Sequence, residues 1–223
     1  IDAAECPPTY GTDPELIQAI IAGGEKAIFN AAEGDEDNEK AGRDVIKGKN
    51  VASIDTVIGI TASGRTPFVL GAVQEAKTAG AFTIGLCNNT SASLTEICDI
   101  SIVPEVGPEV VMGSTRMKSG TSQKLVLNMI STSVMIKLGK VYGNLMVDLN
   151  PNNEKLMHRA TRIISLATDL APEEAYNYLM QSGKNPKTAI VMAKTGTTKE
   201  QAKVLLENTG GYVYRALQLF REE

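Results

Sequence analysis

"TVIGITASGRTPFVLGAVQEAKTAGAFTIGL", residues 56–86, carries in order a β-branched apolar run, a hydroxyl-rich loop, an amphipathic run and a second apolar run. Pro67 opens the amphipathic run and Gly80 closes it. Proline is preorganised for the first helical turn and glycine for the position past the last, so the stretch reads strand, loop, helix, strand. Two neighbouring strands joined through a helix run parallel, with a right-handed crossover. The pattern repeats at once: "ASLTEICD" (92–99) reads as a helix and "ISIVPEV" (100–106) as a third strand. The expected fold is α/β, a three-layer doubly wound parallel sheet covered by helices on both faces.

Working outward, "LIQAIIAGG" (16–24) reads as a buried strand, although period alone does not separate it from a helix. "EKAIFNAAEG" (25–34) follows as a short helix stopped at Gly34. Downstream, "SGTSQKLVLNMISTSVMIKLGKVYGN" (119–144) is apolar around most of its circumference and predicts a buried helix, its methionines serving as packing. From about Pro151 only helical patterns remain: "NEKLMHRATRIISLATD", "APEEAYNYLMQSG", "NPKTAIVMAKTG" and "TKEQAKVLLENTGG", with Asp169, Asn185 and Thr197 or Thr198 as N-caps. The expected division is an α/β domain over 1–150 and a small helical bundle over 151–223.

The 223 residues are 43% hydrophobic, enough for a full core. A net charge of −4 with interspersed signs gives no basic face for nucleic acid or an anionic membrane. No apolar run approaches the roughly 20 residues that span a bilayer, and no signal peptide is visible. Cys6, Cys87 and Cys98 form no CxxC pair and read as reduced thiols of a cytoplasmic protein. A single histidine, His158, in a charged helical stretch reads as surface and leaves little room for a triad or a His-based metal site. Acid–base chemistry therefore falls to carboxylates, lysines or tyrosines.

Two loops ahead of helices are rich in hydroxyls. In "ITASGRT" (60–66), Thr61, Ser63 and Thr66 flank Gly64, where backbone can approach a ligand, and the helix that follows aims its free amides at the same spot. The plainer reading is a capped turn. No GxGxxG or GxxxxGK[ST] is present, so this is not a nucleotide loop. The second, "GPEVVMGSTRMKSGTSQK" (107–124), crowds Ser114, Thr115, Ser119, Thr121 and Ser122 with Arg116 and Lys118. Two such loops in one parallel sheet point to a shared phosphorylated ligand. The carboxylates include Glu5, ahead of Cys6-Pro7-Pro8, and the run Glu33, Asp35, Glu36, Asp37 and Glu39. The prolines predict a stiff turn that does not continue a helix. Pattern alone does not single out one acid.

Together "DAAECPPTYG", "IAGGEKAI", "AAEGDED", "GITASGRTP", "GSTRMKSGTSQKLVLNM" and "GKVYGNLMVD", in this order, resemble the N-acetylmuramic acid 6-phosphate etherase family of the sugar isomerase (SIS) superfamily. The resemblance implies an SIS fold lacking an N-terminal portion ahead of Ile1, and a ubiquitin-associated-like C-terminal bundle. It implies cleavage of the D-lactyl ether of N-acetylmuramic acid 6-phosphate to N-acetylglucosamine 6-phosphate and D-lactate, by elimination then hydration, with no cofactor and no metal. It places the acid–base glutamates at Glu5 and Glu36: Glu5 is read as the base at carbon 2 and Glu36 as the acid, with exchanged roles left open. Thr61, Ser63, Gly64, Thr66, Ser114, Thr115 and Lys118 are the expected substrate and phosphate ligands. A cytoplasmic homodimer with no nucleic-acid or membrane partner is the expected assembly. Two other classes stay open: an SIS aldose–ketose isomerase, separated by the absence of lactate release, and a non-enzymatic sugar-phosphate regulator, separated by binding without turnover.

Overall fold

The computed structural model describes residues 1–30 and 33–222, with the backbone alone at Glu33. The chain divides into two compact units, Ala19–Leu127 and a second formed by Ile1–Gln18 with Asn128–Glu223.

The first unit is α/β. A 3-10 turn at Gly24–Ile28 and a short helix, α2 (Glu33–Glu36), precede α3 (Glu39–Gly48); α1 (Asp2–Tyr10) belongs to the other unit. Then come β1 (Thr56–Ile60), α4 (Pro67–Thr78), β2 (Phe82–Leu86), α5 (Ser93–Ile97) and β3 (Ile100–Ile102). The strands lie in the order β1-β2-β3, all parallel, with Ile58 opposite Ile84 and Ile84 opposite Ile100. Each crossover is a helix, as the punctuation at Pro67 and Gly80 predicts.

One sheet face is packed so closely that it is built on glycine. A Cβ at Gly59 would lie 2.6 Å from Val73 of α4, and one at Gly85 would lie 3.0 Å from both Leu94 of α5 and Cys98. Val73, Cys87, Ala92 and Leu94 form the buried cluster there, and Ile46, Ala76 and Ala81 form another beneath α3. Thr83, fully buried on this face, is satisfied by Asp99, whose carboxylate accepts from its amide at 2.8 Å and its hydroxyl at 2.7 Å. The alternate residues point the other way, and Ile60, Phe82 and Ile100 are part-exposed.

Helix α6 (Lys118–Lys137) begins in this unit and ends in the other. It is not the buried helix expected: Leu125, Met129 and Ile136 are exposed, Met129 by 61%. Its apolar residues encircle it, and packing covers only part of the circumference.

The second unit contains α1 (Asp2–Tyr10), the hairpin β4 (Val141–Tyr142) and β5 (Leu145–Met146), and a run of helices: α7 (Glu154–Thr168), α8 (Pro172–Gln181), α9 (Pro186–Thr195), α10 (Lys199–Asn208) and α11 (Val213–Glu222). The fifth helix of this run, α11, extends the four expected; it buries Val213, Ala216 and Leu217 at helical spacing. Helix α9 is buried along Pro186–Met192 and packs with Ile164, Leu179, Leu206 and Val213. Asn185 and Thr198 are N-caps, and Thr198 forms a capping box with Gln201. Asp169 is instead the left-handed C-cap of α7, at φ 60°, because Asp tolerates that conformation; α8 starts from Ala171. Lys140 and Lys187 both reach Asp148, at 2.7 and 2.9 Å, fastening the segment just past β5 to α9. His158 is on the surface.

Two further local expectations, over 16–34, fail. Residues 16–24 form no strand, and Leu16 is 55% exposed. Their recorded bonds are turns, Leu16 to Asp13 and Gly24 to Ile21, and positive φ at Gly23 and Gly24 bends the chain away from extension. The helix expected over 25–34 is a 3-10 turn through Ile28, and Ala31 and Ala32 lie outside the described residues.

Candidate functional site

The hydroxyl loop sits at the carboxyl end of β1, where open parallel sheets place their ligands. Thr61 and Thr66 hydroxyls are 2.7 Å apart, Thr61 and Ser63 hydroxyls 3.3 Å, and the Arg65 amide donates to Ser63 Oγ at 3.2 Å. Three side chains that the sequence singled out are thus brought to one point, immediately ahead of α4. Gly64 makes the bend possible. Its φ is +68°, its amide donates to Thr61 O at 3.3 Å, and its carbonyl accepts from Leu94 N at 3.1 Å. A Cβ there would sit 2.3 Å from Ala92 Cβ.

The loop after β2 is stitched to it. Asn88 N donates to Ala62 O at 3.0 Å, and Asn89 Nδ2 donates to Ser63 O at 3.3 Å. Asn88 also reaches the first turns of α6: its Nδ2 donates to Ser122 Oγ at 2.9 Å, and its Oδ1 accepts from Gln123 Nε2 at 3.0 Å. Asn88, Asn89 and Gln123 were missed by the sequence reading. The available signal was position, since "CNN" closes the second strand expected over 82–89 and so falls at the same carboxyl edge; β2 itself ends at Leu86.

The second loop is organised by a residue that the sequence reading also passed over. Glu109 accepts from the amides of Lys118 at 3.1 Å and Ser119 at 3.0 Å, occupying the amino end of α6. These amides hold its carboxyl below the usual range. Lys118 turns its Nζ to Pro108 O at 2.8 Å. Ser114 and Thr115 contribute backbone bonds, Ser114 N to Val111 O and Gly120 N to Thr115 O. Among the described residues no hydrogen bond joins Ser114, Thr115 or Lys118 to the 61–66 loop.

Glu5 and Glu36 fall in different units, and both are exposed. Glu36 ends α2. Glu5 lies on α1, where a stiff turn was expected. Pro7 and Pro8 are accommodated because proline φ is already helical; they remove two amide donors, and Gly11 ends the helix within a turn, its N–H bonding Pro7 O at 2.9 Å. The helix is anchored on Glu5's neighbours: Asn128 Nδ2 donates to Asp2 Oδ1 at 2.6 Å, and Cys6 is buried with its thiol against Asp2 O.

Two family models match: the glucokinase regulatory protein N-terminal SIS domain over residues 5–77, and the C-terminal lid domain of glucokinase regulatory protein over 143–188. An N-acetylmuramic acid 6-phosphate etherase of Clostridium acetobutylicum is 58% identical over 219 residues, 98% of this chain and 72% of that protein. The chain belongs to the N-acetylmuramic acid 6-phosphate etherase family. Etherases of Caldanaerobacter subterraneus and Alkaliphilus metalliredigens are 54% and 50% identical, over 98% and 100% of this chain, and each is covered over 72% of its length. In this etherase-family chain the first SIS match ends inside α4, so it takes in Glu5, Glu36 and the whole hydroxyl loop.

Proposed function

We propose that this chain carries out the etherase reaction, releasing D-lactate from N-acetylmuramic acid 6-phosphate and leaving N-acetylglucosamine 6-phosphate, a step of amino-sugar catabolism and cell-wall recycling. The observation that carries the reading is the match to etherases over 98% of this chain and 72% of each relative. The convergence of Thr61, Ser63 and Thr66 supports it with a place for the phosphate.

The chemistry follows from the substrate. An ether is a poor leaving group, but in the ring-opened sugar the aldehyde acidifies carbon 2. Loss of that proton lets the lactyl oxygen depart from carbon 3, and water then adds to the unsaturated aldehyde. Elimination needs two proton transfers and hydration two more, and Glu5 and Glu36 divide them: one takes the carbon 2 proton and later returns one there, and the other protonates the departing oxygen and then deprotonates the attacking water. We assign the 6-phosphate to the 61–66 loop, whose three hydroxyls meet at one point ahead of α4. Ser114, Thr115 and Lys118 are the second group of ligands.

Two finer statements belong to the same proposal. The protein acts as a homodimer, supported by the exposed apolar positions Met129 and Ile136, seven residues apart on one face of α6. It works in the cytoplasm, supported by three free cysteines among the described residues. No helix among the described residues is long and apolar enough to cross a membrane. Incubation with N-acetylmuramic acid 6-phosphate and assay of lactate tests the reaction; binding without lactate release refutes it. Light scattering that shows a fully active monomer at micromolar concentration removes the dimer.

A further inference from the structure

We propose that Asn88 is a positioning residue for this reaction, holding the hydroxyl loop and the first turns of α6 at a fixed spacing without touching substrate. The inference rests on the assignment of the phosphate to the 61–66 loop.

A side-chain amide has two N–H donors and an oxygen with two lone pairs. Asn88 directs Nδ2 to Pro104 O at 2.9 Å and to Ser122 Oγ at 2.9 Å, and its Oδ1 accepts from Gln123 at 3.0 Å. Its backbone N–H is committed to Ala62 O at 3.0 Å. Both side-chain donors are in use, so none is left for a phosphate oxygen. The partners come from three places: Ala62 in the hydroxyl loop, Pro104 just past β3, and Ser122 and Gln123 on α6. Ser122 continues the chain by donating to Ser119 O at 2.8 Å, and Ser119 is itself buried and held by Glu109. One residue therefore ties the loop that binds the anion to the helix start carrying the second ligand group. Few other side chains substitute for it. Aspartate loses both donors and adds a charge beside an anion site, and leucine offers no polar atom.

Ser122 and Ser119, counted among the hydroxyls of the second loop, are explained by the same network. They are internal struts, and the ligand role falls to the residues ahead of them.

The test measures dissociation of N-acetylglucosamine 6-phosphate by calorimetry, together with KM and kcat for lactate release, on the full chain. Asn88→Ala is expected to weaken sugar-phosphate binding about tenfold or more and to raise KM in parallel, with kcat nearly unchanged. Ser122→Ala, which removes one of the three side-chain partners of Asn88 together with the Ser122 bond to Ser119 O, is expected to shift both in the same direction by a smaller factor. The double variant is expected to fall short of the sum of the two effects, because the Asn88–Ser122 bond is lost in either single variant. Unchanged binding in Asn88→Ala, or full additivity with Ser122→Ala, overturns the proposal. Should Asn88→Ala not fold, Ser122→Ala decides: a rise in the dissociation constant supports the proposal and its absence overturns it. Ser63→Ala, measured alongside, separates the two levels. If it weakens binding while the Asn88 and Ser122 variants do not, the positioning role fails and the phosphate site stands. If none of the three changes binding, the phosphate assignment itself fails.

Discussion

Gly64→Ala is the sharpest structural perturbation of the proposed anion loop. Two penalties add. An alanine at φ +68° sits in the left-handed region, and its Cβ would lie 2.3 Å from Ala92 Cβ and 3.2 Å from Cys87 Sγ. The first costs about 1 kcal/mol and the second, as overpacking against a buried wall, about 1–3 kcal/mol, for a total of roughly 2–4 kcal/mol. At about 2–4 °C per kcal/mol for a chain of this size, Tm falls by roughly 4–16 °C. Gly107 is the control, because it has the same φ of +68° but nothing within 4 Å of its Cβ position. Gly107→Ala therefore loses only the backbone part, about 1 kcal/mol. Adding Ala92→Gly to Gly64→Ala removes the 2.3 Å contact and is expected to restore part of the loss. The assay is thermal unfolding by circular dichroism, with calorimetric titration of N-acetylglucosamine 6-phosphate. A Gly64→Ala variant no less stable than Gly107→Ala, or a double variant with no recovery, would refute the close packing of this loop.

Ser63→Ala is expected to raise KM for lactate release with little change in kcat, since an anchor held throughout the reaction contributes equally to ground and transition states; steady-state kinetics decide. Of the two glutamate variants to alanine, each is expected to slow cleavage by roughly 10²–10⁴-fold. The one that lacks the base also loses solvent-deuterium exchange at carbon 2, while the other keeps it; intact cleavage in both removes the pair from the mechanism. The Glu109 carboxyl is held low by the amides at the start of α6, so its support for that helix is present above the unfolded glutamate pKa and is lost as pH falls through the lower folded value. Hydrogen exchange at Lys118 and Ser119 should stay protected into the mildly acidic range, and Glu109→Ala should abolish that protection at neutral pH. Burial pushes the Cys98 thiol up to about 11, so at pH 8 it should be alkylated at least about tenfold more slowly than in the unfolded chain. Equal rates would contradict its placement beneath Gly85.

Much of the α/β unit was legible because its signals are local. Pro67, Gly80 and the β-branched runs on either side specify a crossover without reference to anything distant. The 16–24 run failed for the converse reason: a strand exists only beside a partner edge, which period does not reveal. In α1 the rule that prolines break helices was applied to an element only nine residues long, where the missing donors fall in its last half and Gly11 ends it anyway. The hydroxyl loop could be read because its members lie within six residues. Asn88 could not, since its side-chain partners lie 16 to 35 residues away. The exposure of Met129 and Ile136 was equally hidden, because an apolar face in sequence does not say whether packing covers it.

The most direct test of the reaction is isotopic. The full chain would be incubated with N-acetylmuramic acid 6-phosphate in deuterated, oxygen-18 water, and both products analysed by mass spectrometry and NMR. Elimination and hydration place one deuterium at carbon 2 and one oxygen-18 at carbon 3 of N-acetylglucosamine 6-phosphate, and leave the released lactate without oxygen-18. Oxygen-18 in the lactate, or no lactate at all from a folded chain that binds the sugar phosphate, would contradict it.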